Sequence, residues 1–359
     1  MIQIRNPILC LSLLTALSVA CNDPDSKTQA SWHFDSLSLE AGPTARYDAT
    51  LTSDSATDTL YLYGGRGGEG LLADFWALDL KAKKPRWLCL SEQAAPGPRS
   101  GAVLVALGAG RLLLHGGYRA NEFGAIDFLQ DLWFYSPADG WQREFISGGP
   151  SARAWHAARL MASDSHKPRN LILFGGYAGA PDYHLQDLWR LDIEKLTWKR
   201  LATDGGPLGT GRPLLWLDPK GKSLRVLNRQ GIPKATKTMT WTLKLEANQW
   251  LAEAGTTHLP LSYQVAASAQ EGNSWLLLKG PGPDSQESNW LIWLCDPSQK
   301  CNWSTAWTDS GPLEATGMAC TSDPIEAKAW LCFGGAQRAS ISHDLWRLSP
   351  NLADKRTGS

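Results

Sequence analysis

The residues of this chain best suited to hold a ligand are arginines that recur at repeat-like intervals. Arg46, Arg99, Arg153 and Arg212 each open a predicted strand behind a proline-containing turn, whereas Ser262 and Thr316 stand nearby in the two later units. A guanidinium fork makes bidentate bonds to a carboxylate, so four gathered at one place would suit an anionic ligand. The same groups could instead tie turn carbonyls or a neighbouring acid. Two further segments carry aromatics and polar groups: Tyr118 to Gln130, with Tyr118, Arg119, Glu122, Phe123 and Phe128, and Tyr177 to Gln186, with Tyr177, Tyr183 and His184. Placed on loops of a rigid scaffold, they would offer contacts to peptide or sugar.

Catalytic patterns are missing from the same list. The seven histidines form no His-x-His or His-x-x-x-His couple, and neither a nucleophile elbow nor a phosphate-cradling glycine loop occurs. His156 falls in a predicted strand and reads as a core residue. We therefore expect no catalytic residue, no metal and no cofactor. Lys plus Arg equals Asp plus Glu at 35 each, which removes the positive field that nucleic acid would require.

These residues must be positioned by something repetitive, because twelve of the 18 tryptophans fall in two columns. Leu60 to Gly65 (LYLYGG), Leu112 to Gly117 (LLLHGG), Leu171 to Gly176 (LILFGG) and Trp330 to Gly335 (WLCFGG) each read as a strand ending in a glycine-pair turn. Leu224 to Arg229 and Trp275 to Gly280 keep the apolar run and lose the glycine pair. A second column follows at Asp74-Phe75-Trp76, Asp131-Leu132-Trp133, Asp187-Leu188-Trp189 and Asp344-Leu345-Trp346, with Trp241 and Trp293 in the two degenerate units. Its tryptophans lie 57, 56, 52, 52 and 53 residues apart. A third column comprises Trp87, Trp141, Trp198, Trp250 and Trp303, and its missing member is Trp32 at the other end of the chain.

This pattern resembles the kelch repeat family over residues 32–349. The resemblance implies an all-β, six-bladed propeller with four antiparallel strands per blade, the strand around Trp32 closing the last blade. Unalternated apolar runs such as Leu60-Tyr61-Leu62 support closure independently, since both sheet faces must be covered by neighbours. Strand order would then put the arginines and the glycine pairs at one mouth of the channel. Pro98-Arg99-Ser100-Gly101 is similar to kelch domains of ubiquitin-ligase adaptors, in which arginines at this position grip acidic peptide segments. The copper ligands of the galactose oxidases, which share kelch architecture, have no match here.

Residues 1–20 have the form of an export signal: Arg5, then an apolar run from Ile8 to Ala20 too short to span a bilayer. Leu17-Ser18-Val19-Ala20-Cys21 resembles the bacterial lipobox, which implies lipidation of Cys21. Residues 21–31 would be a linker and 350–359 a tail. Asn22 after the cysteine implies sorting to the outer membrane, with the face undecided. Export permits disulfides, and Cys295 with Cys301 and Cys320 with Cys332 are the favoured pairs among three connectivities, leaving Cys89 as a buried thiol.

The function expected is a non-catalytic, monomeric binding module whose arginine-lined mouth receives a protein segment or an acidic glycan, with membrane contact only through the anchor. Two other classes remain in view. One is a carbohydrate-active enzyme resembling the exported sialic-acid mutarotases, with Glu69 or Glu122 as candidate proton carriers. The other is a structural envelope component.

Overall fold

The computed structural model describes residues 32–92, 95–161, 170–181, 183–201, 205–209, 211–218, 222–230, 237–257, 265–271, 274–279, 291–294, 302–305, 317–326, 328–336 and 340–350. Cys21, Cys295 and Cys301 lie outside them, as do the proposed signal, linker and tail.

The chain is an all-β propeller of four-stranded antiparallel blades. Among the described residues, the sheets follow one another along the sequence. Sheet one is Thr50–Asp54, Thr59–Tyr63, Phe75–Asp79 and Trp87–Ser91. Sheet two is Val103–Gly108, Arg111–Ala120, Ile126–Ser136 and Gly140–Glu144. Sheet three is Ala157–Leu160, Asn170–Phe174, Leu188–Asp192 and Thr197–Leu201. Sheet four is Leu214–Leu217, Ser223–Gln230, Lys237–Lys244 and Gln249–Thr257, and sheet five is Val265–Glu271, Ser274–Lys279, Leu291–Leu294 and Asn302–Thr305. The last sheet takes Ala319–Ser322, Trp330–Phe333 and Leu345–Pro350 from the end of the chain and Trp32–Ser36 from its beginning. In that seam Trp32 stands opposite Pro350, Phe34 opposite Leu348 and Ser36 opposite Trp346.

In sheets one to three and in the last sheet the second strand is buried on both faces because it is sandwiched between two neighbours. Leu60 and Leu62 pack toward the last sheet, among Leu331, Phe333 and Leu345. Tyr61 and Tyr63 point the other way, to Leu104, Leu112 and Leu114 of sheet two. The alternation continues: Leu113 meets Leu171 and Leu173, while Ile172 and Phe174 meet Leu215, Leu217 and Val226. Since a fully buried Leu or Phe contributes about 1.5–3 kcal/mol over its exposed state, these strips between sheets are the core.

Four outer tryptophans finish their strips by reaching back over the preceding sheet. Trp87 meets Phe333 edge-on at 5.8 Å, Trp141 meets Phe75 at 5.2 Å, Trp198 meets His115 at 5.7 Å and Trp250 meets Phe174 at 6.2 Å. Large rings suit this place because radiating sheets diverge toward the rim. In the last sheet, Cys320 and Cys332 face each other on adjacent strands with their sulfurs at disulfide distance. Cys89 is a free thiol, half-buried on an outer strand rather than enclosed in the core, and burial raises its pKa.

Candidate functional site

Three of the four arginines are part of the scaffold. Arg46 is fully buried, and its five N–H groups go to Thr44 O and Oγ1, Gly64 O, and both carboxylate oxygens of Asp74 at 2.5 and 2.7 Å. Arg153 repeats this with Ser151, Gly175 O and Asp187, at 2.7 and 2.8 Å from the carboxylate oxygens. Arg99 does so with Gly97 O, Pro96 O, Gly116 O and Asp131, at 2.8 and 2.9 Å. Every donor is used, so none is left to grip a ligand as the sequence suggested.

The network explains why two sequence columns travel together. Each aspartate also accepts from the tryptophan two residues on: Trp76, Trp133 and Trp189 donate Nε1 at 2.6 Å to Asp74, Asp131 and Asp187. Burial pushes the Asp131 and Asp187 carboxyls up, but the hydrogen bonds and charge of Arg99 and Arg153 outweigh it and hold both below the usual range. The arginine backbone meanwhile faces the previous sheet. Gly335, Gly65 and Gly117 donate N–H to the carbonyls of Arg46, Arg99 and Arg153 at 2.9 Å. An arginine thus ties its own sheet by its side chain and the preceding sheet by its main chain.

Arg212 is different, and the reason is register. Strand starts at Ala157 and Leu214 correspond, which matches Arg212 with Trp155 and Thr210 with Arg153. Trp155 in turn corresponds to Asp48, Gly101 and Gly317. These residues form a collar of left-handed backbone, with φ of 52° at Asp48, 53° at Trp155 and 58° at Arg212. Each donates its N–H to the preceding member's carbonyl: Asp48 to Gly317 at 2.8 Å, Gly101 to Asp48 at 3.1 Å, Trp155 to Gly101 and Arg212 to Trp155 at 2.7 Å. Left-handed geometry is cheap for glycine and costly for tryptophan or arginine, and such strain concentrates at functional sites.

The side chains of Asp48, Trp155 and Arg212 meet across the mouth. Nη2 of Arg212 donates to both oxygens of Asp48 at 2.7 and 2.6 Å, and Trp155 Nε1 donates to Asp48 Oδ2 at 3.1 Å. The guanidinium carbon lies 5.6 Å from the centre of the Trp155 ring. Asp48 is almost enclosed, at 6% side-chain exposure, whereas Arg212 is 44% exposed. Below them a cavity of about 200 Å³ runs between the innermost strands, lined by Thr50, Ala102, His156, Arg159, Met318 and Cys320 among others. Burial lowers the Arg159 pKa to about 10, so this lining group stays cationic at neutral pH.

An aromatic ridge rises beside the collar. Trp155 contacts Tyr118 at 5.0 Å and Tyr177 at 6.2 Å, and Tyr177 continues to Phe128, Tyr183 and His184 at 5.5, 6.1 and 5.4 Å. Tyr118 sits at the base, only 6% exposed, while Tyr183 is 51% exposed. The first of the two segments read as loops is a strand hairpin: pairing runs past the glycines from Gly117 opposite Leu129 to Ala120 opposite Ile126. The second forms a short ribbon, Tyr177–Gly179 with Tyr183–His184. Arg119 is 56% exposed beside Asp127 on the hairpin, and Phe123 at its tip is 86% exposed. Glu69 and Glu122 are exposed on connections.

His115 and His156 sit under the collar in a pair that sequence reasoning did not find, because 41 residues separate them. Nδ1 of His115 lies 3.0 Å from Nε2 of His156, both rings are buried, and burial lowers the His115 pKa to about 3 and that of His156 well below its ordinary value. One ring donates and the other accepts, and the lowered pKa values leave both neutral at neutral pH.

Arginine–aspartate–tryptophan units, glycine pairs against the neighbouring arginine carbonyl and a last sheet shared by both ends of the chain agree with what comparison finds. Residues 25–212, just over half the chain, match the KLHDC2/KLHL20/DRC7 Kelch-repeats domain. The chain belongs to the kelch-repeat family. Among curated kelch relatives, Adagio-like protein 3 of Oryza sativa subsp. japonica is 31% identical over 178 residues, 48% of this chain and 27% of that protein. Multiple epidermal growth factor-like domains protein 8 of Rattus norvegicus is 27% identical over 58% of this chain and 7% of its own length. The chain therefore spans about a quarter or less of these relatives. The solved structure of YjhT superposes with a TM-score of 0.62 at 18% identity, covering 86% of this kelch chain and 95% of that one, which shows the shared fold.

Proposed function

We propose that this kelch propeller closes as a ring of six blades and is a non-catalytic binding module, which receives an acidic protein segment at the mouth bearing Arg212. The observation that carries the reading is the collar: Asp48, Trp155 and Arg212 accept left-handed backbone, and their side chains converge beside an aromatic ridge. Among the described residues, Nε and Nη1 of Arg212 make no hydrogen bond, so an incoming carboxylate has donors to meet first while Nη2 is held by Asp48. Trp155, Tyr177 and Tyr183 supply flat, stiff contact surface next to it, the kind of anchor that dominates protein interfaces. Arg119 lies on the adjoining hairpin. Arg46, Arg99 and Arg153 serve this site only by holding the blades that carry it.

The reading is tested by titrating the purified chain with a capped peptide of alternating aspartate and glutamate, beside an oligosaccharide of uronic acids. Saturable peptide binding that falls at least about tenfold in Arg212→Ala is expected. Binding unchanged in that variant removes the site, and binding of the uronate alone replaces the protein partner with an acidic glycan. We further propose that Cys21 is lipidated and displays the propeller on the outer membrane as a monomer. Radiolabelled fatty acid entering the wild-type protein but not Cys21→Ser is the expected result.

A further inference from the structure

The Asp48–Arg212 contact is not required by the collar that carries it. Gly101 and Gly317 hold the corresponding places in their sheets and complete the same relay of backbone hydrogen bonds with no side chain at all. Asp48 nevertheless stands at a left-handed position with its carboxylate turned to the mouth. There both oxygens engage the terminal nitrogen of a residue 164 positions away, which keeps Arg212 leaning over the Trp155 ring. The other three arginines are bound to aspartates of their own blades. Among the described residues Arg212 has no such partner in its own sheet: it stands two positions out of the arginine column, and Met239 rather than aspartate stands two residues before Trp241. Its companion is borrowed from across the mouth.

We propose that Asp48 is an intramolecular stand-in for the ligand's carboxylate, occupying Arg212 until an incoming carboxylate takes its place. This rests on the reading of the mouth given above and adds how the mouth is kept neutral when empty. An unpaired guanidinium there would attract any anion, whereas one already paired yields only to a ligand with further contacts along the aromatic ridge. No proton needs to move: one carboxylate leaves the guanidinium as another arrives, Asp48 keeps the Trp155 Nε1 bond, and the ligand's contacts along the aromatic ridge offset Asp48's loss of its cation. Because Arg212 is 44% exposed, the internal pair is reachable by solvent and by a ligand.

The test is calorimetric titration of the full chain with the capped Asp/Glu peptide at fixed ionic strength. Asp48→Asn keeps the shape, a residue type that tolerates left-handed backbone, and an acceptor for Trp155 Nε1, while removing the charge. It should bind the peptide about tenfold more tightly than wild type, a typical size for a coupling between two occupants. Asp48→Gly, which copies the neighbouring collar positions, should gain likewise if the asparagine variant folds poorly. The gain should vanish in Asp48→Asn/Arg212→Ala. Glu69→Gln removes an equal charge from an exposed connection and should change little. Affinity in Asp48→Asn equal to or below wild type overturns the proposal, as does an equal gain in Glu69→Gln. If Arg212→Ala weakens binding while Asp48→Asn leaves it unchanged, only the exchange role fails. Wild-type binding that is indifferent to Arg212→Ala removes the mouth reading as well.

Discussion

Four arginines that look alike in the sequence differ in what they cost to replace. Removing Arg153 leaves Asp187 buried with its charge uncompensated and the Gly175 carbonyl short of a donor, so Arg153→Ala should lose about 3–5 kcal/mol of stability in urea unfolding. Arg212→Ala removes a cation that is 44% exposed and ties no backbone carbonyl, but leaves the enclosed Asp48 with Trp155 Nε1 as its remaining side-chain donor, so it should lose about 1–2 kcal/mol in the same measurement, less than Arg153→Ala. Comparable losses in the two variants would contradict the division into scaffold and site. The last sheet shows the converse. Ala315 stands in its arginine column, Asp344 takes the Ser342 hydroxyl instead at 2.8 Å, and the buried Trp346 Nε1 has no partner among the described residues.

The buried histidine pair gives a pH dependence with a definite sign. Both rings have pKa values lowered by folding, so between about pH 6.5 and about 3 the unfolded chain holds protons that the folded chain refuses. Stability should therefore be greatest above about pH 6.5 and fall as the solution is acidified through that window. Asp131 and Asp187, also lowered, add their loss in the more acidic part. Phe174 and Phe333 occupy the place of His115, and Ala49 and Ala102 that of His156. His115→Phe/His156→Ala should accordingly flatten the melting temperature between pH 6.5 and 4.5; a slope equal to wild type there would assign the acid sensitivity elsewhere.

At the scale of the strand and its turn, the glycine pair is a demand made by the neighbouring blade. Gly64 has φ of 61°, and a Cβ there would sit 2.5 Å from the Arg99 carbonyl oxygen, which belongs to main chain and cannot swing away. Gly64→Ala should thus cost more than the roughly 1 kcal/mol expected from conformation alone. Gly108→Ala, at φ of 88° with nothing near, should show the conformational part only. Equal melting-temperature losses in the two would argue against contact between blades at the turn. The hairpin from Arg111 to Ser136 shows where turn signals mislead: its glycines bend the strand with a register shift between His115 and Gly117, but pairing resumes beyond them.

For the whole molecule, the seam at Trp32–Ser36 should decide whether the propeller folds. Without it Leu345–Pro350 becomes an unpaired edge and the Phe34–Trp346 ring contact, 6.2 Å between centroids, is lost. A chain starting at residue 37 should elute as aggregates in gel filtration and lose its cooperative melt, whereas a chain starting at residue 31 should keep both. The strand also connects the two ends of the sequence, so that loosening either releases the other.

The sequence by itself determined the blade: the apolar second strand, the glycine pair, the aspartate–tryptophan couple and the returning tryptophan at Trp32 are all local patterns that repeat. They are legible because each repeat solves the same packing problem with the same residue types. Only the tertiary structure decided which arginines were free. Arg46, Arg99 and Arg153 are consumed by aspartates 28 to 34 residues further on, and Arg212 lies two positions out of that column. The proline-to-arginine spacing, three residues at Pro43, Pro96 and Pro150 but five at Pro207, held that signal. No spacing could reveal Asp48 against Arg212 or His115 against His156, because those meetings arise from bending sheets around an axis, which brings together residues from different repeats that no local pattern links.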